Sequence, residues 1–155
     1  MNVQLRPATD ADWPFIESVF VSVRAPEFEA AGLTGEALAS LLAMQFRAQR
    51  SHYARAYPEG EDRVIMRDGA PIGELITAEL PGELRLVDIS LLPEYRGQGV
   101  GTLLVTGFVE RARATQKPVV LHVEMNNPAR RLYERFGFVI EEEVGVYYRM
   151  RRLPV

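Results

Sequence analysis

The stretch from Leu86 to Gly101 constrains the fold more than any other: Leu86-Val87-Asp88-Ile89-Ser90-Leu91-Leu92-Pro93-Glu94-Tyr95-Arg96-Gly97-Gln98-Gly99-Val100-Gly101. A branched apolar run is stopped by Pro93, an arginine and three alternating glycines follow, and an apolar-periodic segment begins at Val100. This reads as strand, glycine-rich turn, helix. Glycine lets backbone come close to a ligand because no Cβ intervenes. The helix that opens there turns unpaired N–H groups and its positive dipole end to the same spot. A phosphate is the natural occupant.

Spacing separates the phosphate motifs. A G-x-G-x-x-G fingerprint counted from Gly97 ends on Thr102, and counted from Gly99 it ends on Leu104, so both registers fail. No Gly-Lys-Ser/Thr ending is present for a P-loop. What fits is Arg96-x-x-Gly99-x-Gly101, which resembles the pyrophosphate loop of the GNAT superfamily of N-acetyltransferases. A second stretch, Asn127-Pro128-Ala129-x-x-x-Tyr133-x-x-x-Gly137-Phe138, resembles a later motif of the same family and stands in the right order.

The rest of the chain reads as one mixed α/β domain over 1–155, with a β-sheet sandwiched by helices in the order β-α-α-β-β-β-α-β-α-β-β. Met1 to Pro7 is a strand with Val3 and Leu5 on one face. Thr9 or Asp10 caps a helix whose stripe is Ile16, Val19, Phe20 and Val23, with Pro26 closing it or starting a connection. A second helix spans about Glu36 to Tyr57 on Leu38, Leu41, Leu42, Phe46 and Ala48. Gln45, Gln49 and Tyr53 share another of its faces, either a polar wall of a substrate cleft or a solvated surface. Arg63 to Arg67, the Asp68-Gly69 turn, Pro71 to Leu80, and Glu83 to Leu92 form a meander into the glycine loop. The helix from Val100 to Gln116 carries Leu103, Leu104, Gly107, Phe108 and Ala112, widened by Val105 and Val109. Val119 to Glu124 is a near-continuous apolar strand, expected parallel to the strand before the loop, and within it His122 reads as a core residue. Asn126-Asn127-Pro128 opens a fourth helix, Gly137 ends it, and Phe138 to Ile140 and Val144 to Met150 are the last strands. Val146 to Met150 is available to pair across a homodimer.

Composition narrows the class. The net charge of −3 argues against nucleic acid as a partner. No apolar run approaches the roughly 20 residues that span a bilayer, and the N-terminus has no signal core, so no membrane partner and a cytoplasmic location are expected. The absence of cysteine excludes disulfides and thiolate chemistry, and no metal is expected.

The resemblance implies acetyl-CoA as donor and an amine of a small molecule or peptide as acceptor. It implies that the pyrophosphate sits on Arg96, Gly97, Gln98, Gly99, Val100, Gly101 and Thr102. Ile89, Ser90 and Leu91 then offer backbone groups to the pantetheine arm, and one of their N–H groups polarises the thioester carbonyl. Asn127 is carried with the coenzyme site, and Tyr133 with protonation of the leaving thiolate. Arg130, Arg131 and Arg135 read either as ribose-phosphate contacts or as a solvated face. An ammonium must lose a proton before it attacks. Asp88, on the strand expected to line the cleft, is the first candidate base, with His122, Glu124 and Glu74 as alternatives. A non-catalytic coenzyme-binding sensor or scaffold needs the loop but neither Tyr133 nor a base. A nucleotide or dinucleotide protein using the same helix end is a third reading.

Overall fold

The computed structural model describes residues 2–155, so the Met1 end of the first expected strand lies outside the described residues. The strands are β1 (Val3–Pro7), β2 (Glu61–Arg67), β3 (Ala70–Leu80), β4 (Glu83–Leu91), β5 (Val119–Glu124), β6 (Val139–Val144) and β7 (Tyr147–Arg152). The helices are α1 (Trp13–Ala30), α2 (Gly35–Ala56), α3 (Val100–Thr115) and α4 (Ala129–Arg135). This is the expected order of elements. Hydrogen bonding arranges the strands as one mixed sheet, β1-β2-β3-β4-β5-β7-β6. Among the described residues no helix is long and apolar enough to cross a membrane.

The chain forms two compact units, residues 1–76 with 88–98, and residues 77–87 with 99–155. In the first, β1 pairs antiparallel with β2 from Val3↔Arg67 to Pro7↔Arg63. Asp68 (φ 50°) and Gly69 (φ 83°) turn β2 into β3 with the left-handed pair of a tight hairpin. Helices α1 and α2 bury Ile16, Phe20, Leu38, Leu42 and Phe46 against one another. Leu5 and Val23 are exposed, at 38% and 41%, and Ala48 is exposed as well, so Val23 and Ala48, both expected on apolar stripes, lie outside the core. Pro26 does not end α1, which continues to Ala30. The missing N–H of Pro26 removes one bond only. Ala25 and Phe28 on either side pack on the core cluster and hold the last turn in place.

In the second unit, β4 runs parallel to β5 over Leu84↔Val119 to Leu86↔Leu121, as a helical crossover requires. The core takes Leu84, Val105, Val109, Leu121, Tyr133 and Met150. The buried stripe of α3 is Val100, Val105, Val109 and Ala112, while Leu103 is 46% exposed. The helix is therefore rotated from the expected face. Both faces are apolar enough to serve, and spacing alone does not choose between them. Strand β5 buries Val119–Leu121 and Val123 but exposes His122, which is not a core residue. Strand β7 pairs with β5 on one side and β6 on the other. Its two edges are taken, so Val146–Met150 is not free to pair across a dimer, and Val146 itself lies in the turn between β6 and β7. The open edge is β6, which runs on to Val144 and is exposed along its length.

Candidate active site

The first unit carries a small cleft lined by Val19, Phe20, Val23 and Arg24 of α1, Gln49 and Arg50 of α2, Glu74 of β3, and Asp88 and Ser90 of β4. Strands β3 and β4 come unusually close here. A Cβ on Gly73 would sit 2.1 Å from the Ser90 carbonyl oxygen and 3.2 Å from the Leu91 Cα, so only glycine fits. That approach sets Glu74 and Asp88 along the same cleft.

Arg50 organises the charges. Its guanidinium grips Glu74 through both terminal nitrogens, with Nη1 donating to Oε2 at 2.6 Å, and it donates to Asp62 at 3.3 Å. Its charged carbon lies 5.3, 5.0 and 5.9 Å from the ring centres of Trp13, Phe46 and Tyr53. A bidentate pair stacked on aromatic rings is rigid and poorly hydrated. Arg50 Nε and Asp62 Oδ1 are buried with no hydrogen-bond partner among the described residues. Burial pushes the Glu74 carboxyl above its ordinary range, Arg50 opposes the push, and Asp62 adds to it. Asp88 is raised to about 6, first by loss of hydration and then by the charge of Glu74. The Ser90 hydroxyl, which donates to Asp88 Oδ2 at 3.0 Å, and the cations Arg50 and Arg24 pull it back. A carboxyl near 6 is mostly ionised at neutral pH yet basic enough to accept a proton.

The loop after β4 starts with a turn at Pro93–Tyr95, where Tyr95 N donates to Leu92 O at 3.0 Å. Arg96 Nε donates to Leu91 O at 3.1 Å and Gln98 Nε2 to Glu94 O at 2.7 Å, so both side chains brace the loop. Gln98 also contacts Arg67. Gly97 (φ 71°) and Gly99 (φ 86°) are left-handed, and a Cβ on either would meet nothing within 4 Å. Their glycines answer to backbone conformation, and the space above them is open. Gly101 has a different reason: its Cβ position lies 3.3 Å from Leu132 of α4. Gly99 is the N-cap of α3, and its carbonyl accepts from Leu103 N at 3.1 Å. The N–H groups of the first turn have no intrahelical acceptor.

In the second unit Tyr133 is 5% exposed, its ring 5.7 Å from Phe138. Asn127 starts α4: its Oδ1 accepts from Ala129 N at 2.9 Å. Arg130 pairs with Glu134 at 3.2 Å and lies over the Tyr148 ring, while Arg131 and Arg135 are exposed. His122 Nδ1 is 3.2 Å from Arg85 Nη1, and loss of hydration followed by that cation lowers its pKa. Glu124 is partly buried.

The first unit therefore brings Asp88, Ser90 and Glu74 together with Gln49. Tyr53 lines a neighbouring groove with Trp13, Tyr57 and Asp62, and Gln45 is in neither lining. Sequence reasoning missed Arg50, Asp62 and Arg24. A signal existed for Arg50, which continues the four-residue ladder Leu38-Leu42-Phe46 as its only charged rung. Asp62 gives no local signal, because its partners lie 12 or more positions away.

Comparison with known proteins bears on the family and the fold. The sequence model of the Acetyltransferase (GNAT) family matches residues 35–138. A 61-residue stretch is 42% identical to the mycothiol acetyltransferase of Corynebacterium aurimucosum, covering 38% of this chain and 20% of that protein. A 56-residue stretch is 39% identical to human cysteine-rich protein 2-binding protein, covering 36% of this chain and 7% of that one. The chain thus spans only a small part of the curated relatives it matches. Among solved structures, the PaiA N-acetyltransferase of Thermoplasma acidophilum in complex with coenzyme A superposes with a TM-score of 0.73 at 17% identity, covering 99% of each chain.

Proposed function

The chain belongs to the Acetyltransferase (GNAT) family, and from that premise we propose that it moves an acetyl group from acetyl-CoA to a primary amine of a small molecule or peptide. The observation that carries this reading is the loop: two left-handed glycines with open space above them, leading into a helix of 16 residues. A pyrophosphate needs N–H donors and room for close approach, and the open glycines Gly97 and Gly99 and the unpaired first-turn N–H groups of α3 support that reading. Ile89, Ser90 and Leu91 offer backbone donors and acceptors to the pantetheine amides. Coenzyme A bound to PaiA supports the same donor here.

The coenzyme supplies an activated acetyl group as a thioester. The amine nitrogen attacks its carbonyl carbon, a C–N bond forms and the C–S bond breaks. Asp88 accepts one proton from the amine, and its pKa of about 6 leaves it ionised for that task. A backbone N–H of β4 stabilises the oxyanion. Tyr133 gives its phenolic proton to the departing thiolate and is reprotonated from solvent. The products are the N-acetyl amide and the free thiol, with the ammonium's extra proton released to solvent.

Acetyl transfer with a panel of amines is the direct test. Tyr133→Phe should lower kcat by about 10² to 10⁴ with acetyl-CoA affinity within a few-fold of the parent. Unaltered kcat removes Tyr133 from the reaction. Binding of acetyl-CoA without transfer to any amine, or hydrolysis, would favour a coenzyme-binding module.

A further inference from the structure

We propose that Arg67, at the end of β2, is a phosphate-binding residue of the coenzyme site, held against the glycine loop by Gln98; this rests on the acetyl-CoA reading above. Charge makes the first demand. A helix N-terminus carries only about half an elementary positive charge. A coenzyme phosphate carries a full negative charge or more, so a cation beside the loop adds what the helix end lacks. Arg67 stands 31 positions before Gln98, outside the loop motif, yet Nη1 of its guanidinium donates to the Gln98 carboxamide oxygen. Gln98 Nε2 in turn donates to Glu94 O at 2.7 Å, so the amide is held at both ends. Gln98 sits between Gly97 and Gly99, and a Cβ on either glycine would meet only open space. The guanidinium is thereby tied to the part of the loop that a ligand can approach most closely. Its mount is rigid: Arg67 pairs with Val3 in the β1–β2 ladder, and its side chain is 24% exposed.

The partners of Arg67 leave its charge largely uncancelled. An amide oxygen satisfies a donor but brings no negative charge. The ion pair with the neighbouring Asp68 runs through Nε at 3.9 Å, and the Asp68 side chain is 68% exposed. A pair that long and that hydrated contributes little. A guanidinium has five N–H donors in a planar fork, so it takes phosphate oxygens while Gln98 and Asp68 keep their places. Glu94 opposes an anion with an exposed carboxylate, and the exposed Arg96 two residues on offsets that charge.

The test measures acetyl-CoA affinity by calorimetric titration and KM by steady-state kinetics, with S-acetylpantetheine as a donor that has no phosphate. Arg67→Gln should raise Kd and KM for acetyl-CoA by about 10-fold and leave kcat at saturation within about 2-fold. Its effect on kcat/KM for S-acetylpantetheine should be under about 2-fold. Arg67→Lys should recover part of the affinity, because an ammonium binds phosphate as a point charge. Gln98→Ala should lose affinity in the same direction by a smaller factor. The Arg67→Gln deficit should shrink as salt rises from about 0.05 to about 0.5 M, since screening weakens charge and not packing. Acetyl-3′-dephospho-CoA identifies the phosphate: a deficit that persists with it assigns Arg67 to the pyrophosphate, and one that vanishes assigns it to the 3′-phosphate. Circular dichroism and the melting temperature of each variant guard against misfolding. An Arg67→Gln variant with the parent's acetyl-CoA affinity, a deficit equal for both donors, or a deficit that salt leaves unchanged overturns the assignment while the coenzyme reading stands. A parent chain that does not bind acetyl-CoA overturns the coenzyme reading and this inference with it.

Discussion

Asp88 is held at a cost to the fold. Its carboxyl is raised to about 6, above the ordinary value near 3.8, because burial and the charge of Glu74 disfavour ionisation. A raised acid is protonated more readily in the folded than in the unfolded chain. Folding is therefore most favoured below the unfolded value, and stability falls as pH rises from about 4 to about 6 and stays lower beyond. Asp88→Asn removes that loss. It should raise the melting temperature at pH 7–8 by a few degrees, at about 2–4 °C per kcal/mol for a chain of this length, with little change below pH 4. The same variant should lose the acidic limb of the kcat/KM profile near pH 6 and lower turnover by about 10² to 10⁴. A limb that persists in the variant assigns the base elsewhere, with Glu74 next in line because it shares the cleft. Residue types at this site were legible in part. Asp88 and Glu74 stood out as carboxylates on strands, but their ranking depends on Arg50, which grips Glu74 through two nitrogens and acts on Asp88 only through its charge. That distinction comes from a side chain 24 positions away and is invisible to local pattern.

Elements position these side chains through glycines that serve two different physical ends. Gly73 is a matter of space: a methyl group there would collide with the Ser90 carbonyl on β4. Gly73→Ala should force β3 and β4 apart, cost about 1–3 kcal/mol as an overpacked core does, and reduce activity with every acceptor. Gly99 is a matter of conformation, since a Cβ there meets open space but φ is +86°. Gly99→Ala should cost about 1–2 kcal/mol in that loop state and so weaken acetyl-CoA binding roughly 5- to 30-fold, with much less effect on acceptor KM. Thermal melts and coenzyme titrations of the two variants separate the cases; equal coenzyme affinity in Gly99→Ala and parent would remove the loop from binding. The order of elements could be read from the sequence because strand and helix periods, the Asp68-Gly69 hairpin and the Asn127-Pro128 helix start are local signals. Faces and edges could not. The rotation of α3 onto Val105 and Val109, and the passage of α1 through Pro26, were decided by packing partners distant in sequence. The interior place of β7 follows from two strand pairings that periodicity does not encode.

At the scale of the whole molecule, a chain of net charge −3 is asked to bind an anionic coenzyme. Overall charge opposes that encounter weakly, so on the proposed reading affinity comes from local donors, the first-turn N–H groups of α3 and the left-handed loop before it. Such a site is built only in the folded chain, and ligand binding to the folded state alone stabilises it by mass action. Acetyl-CoA at 100 times its Kd should contribute about 2.7 kcal/mol. At about 2–4 °C per kcal/mol this raises the melting temperature by roughly 5–11 °C. ATP and NAD at the same concentration should give a much smaller rise, because the glycine spacing fits neither a P-loop nor a dinucleotide fingerprint. Coenzyme A without the acetyl group should stabilise nearly as well, since the pyrophosphate and pantetheine contacts do not involve the acyl carbon. A melt shifted by NAD or ATP and unmoved by acetyl-CoA would reassign the loop to a nucleotide. If acetyl-CoA raises the melting temperature of the parent and does so less in Gly99→Ala at the same concentration, the stabilisation runs through the loop and not through a charge effect spread over the surface.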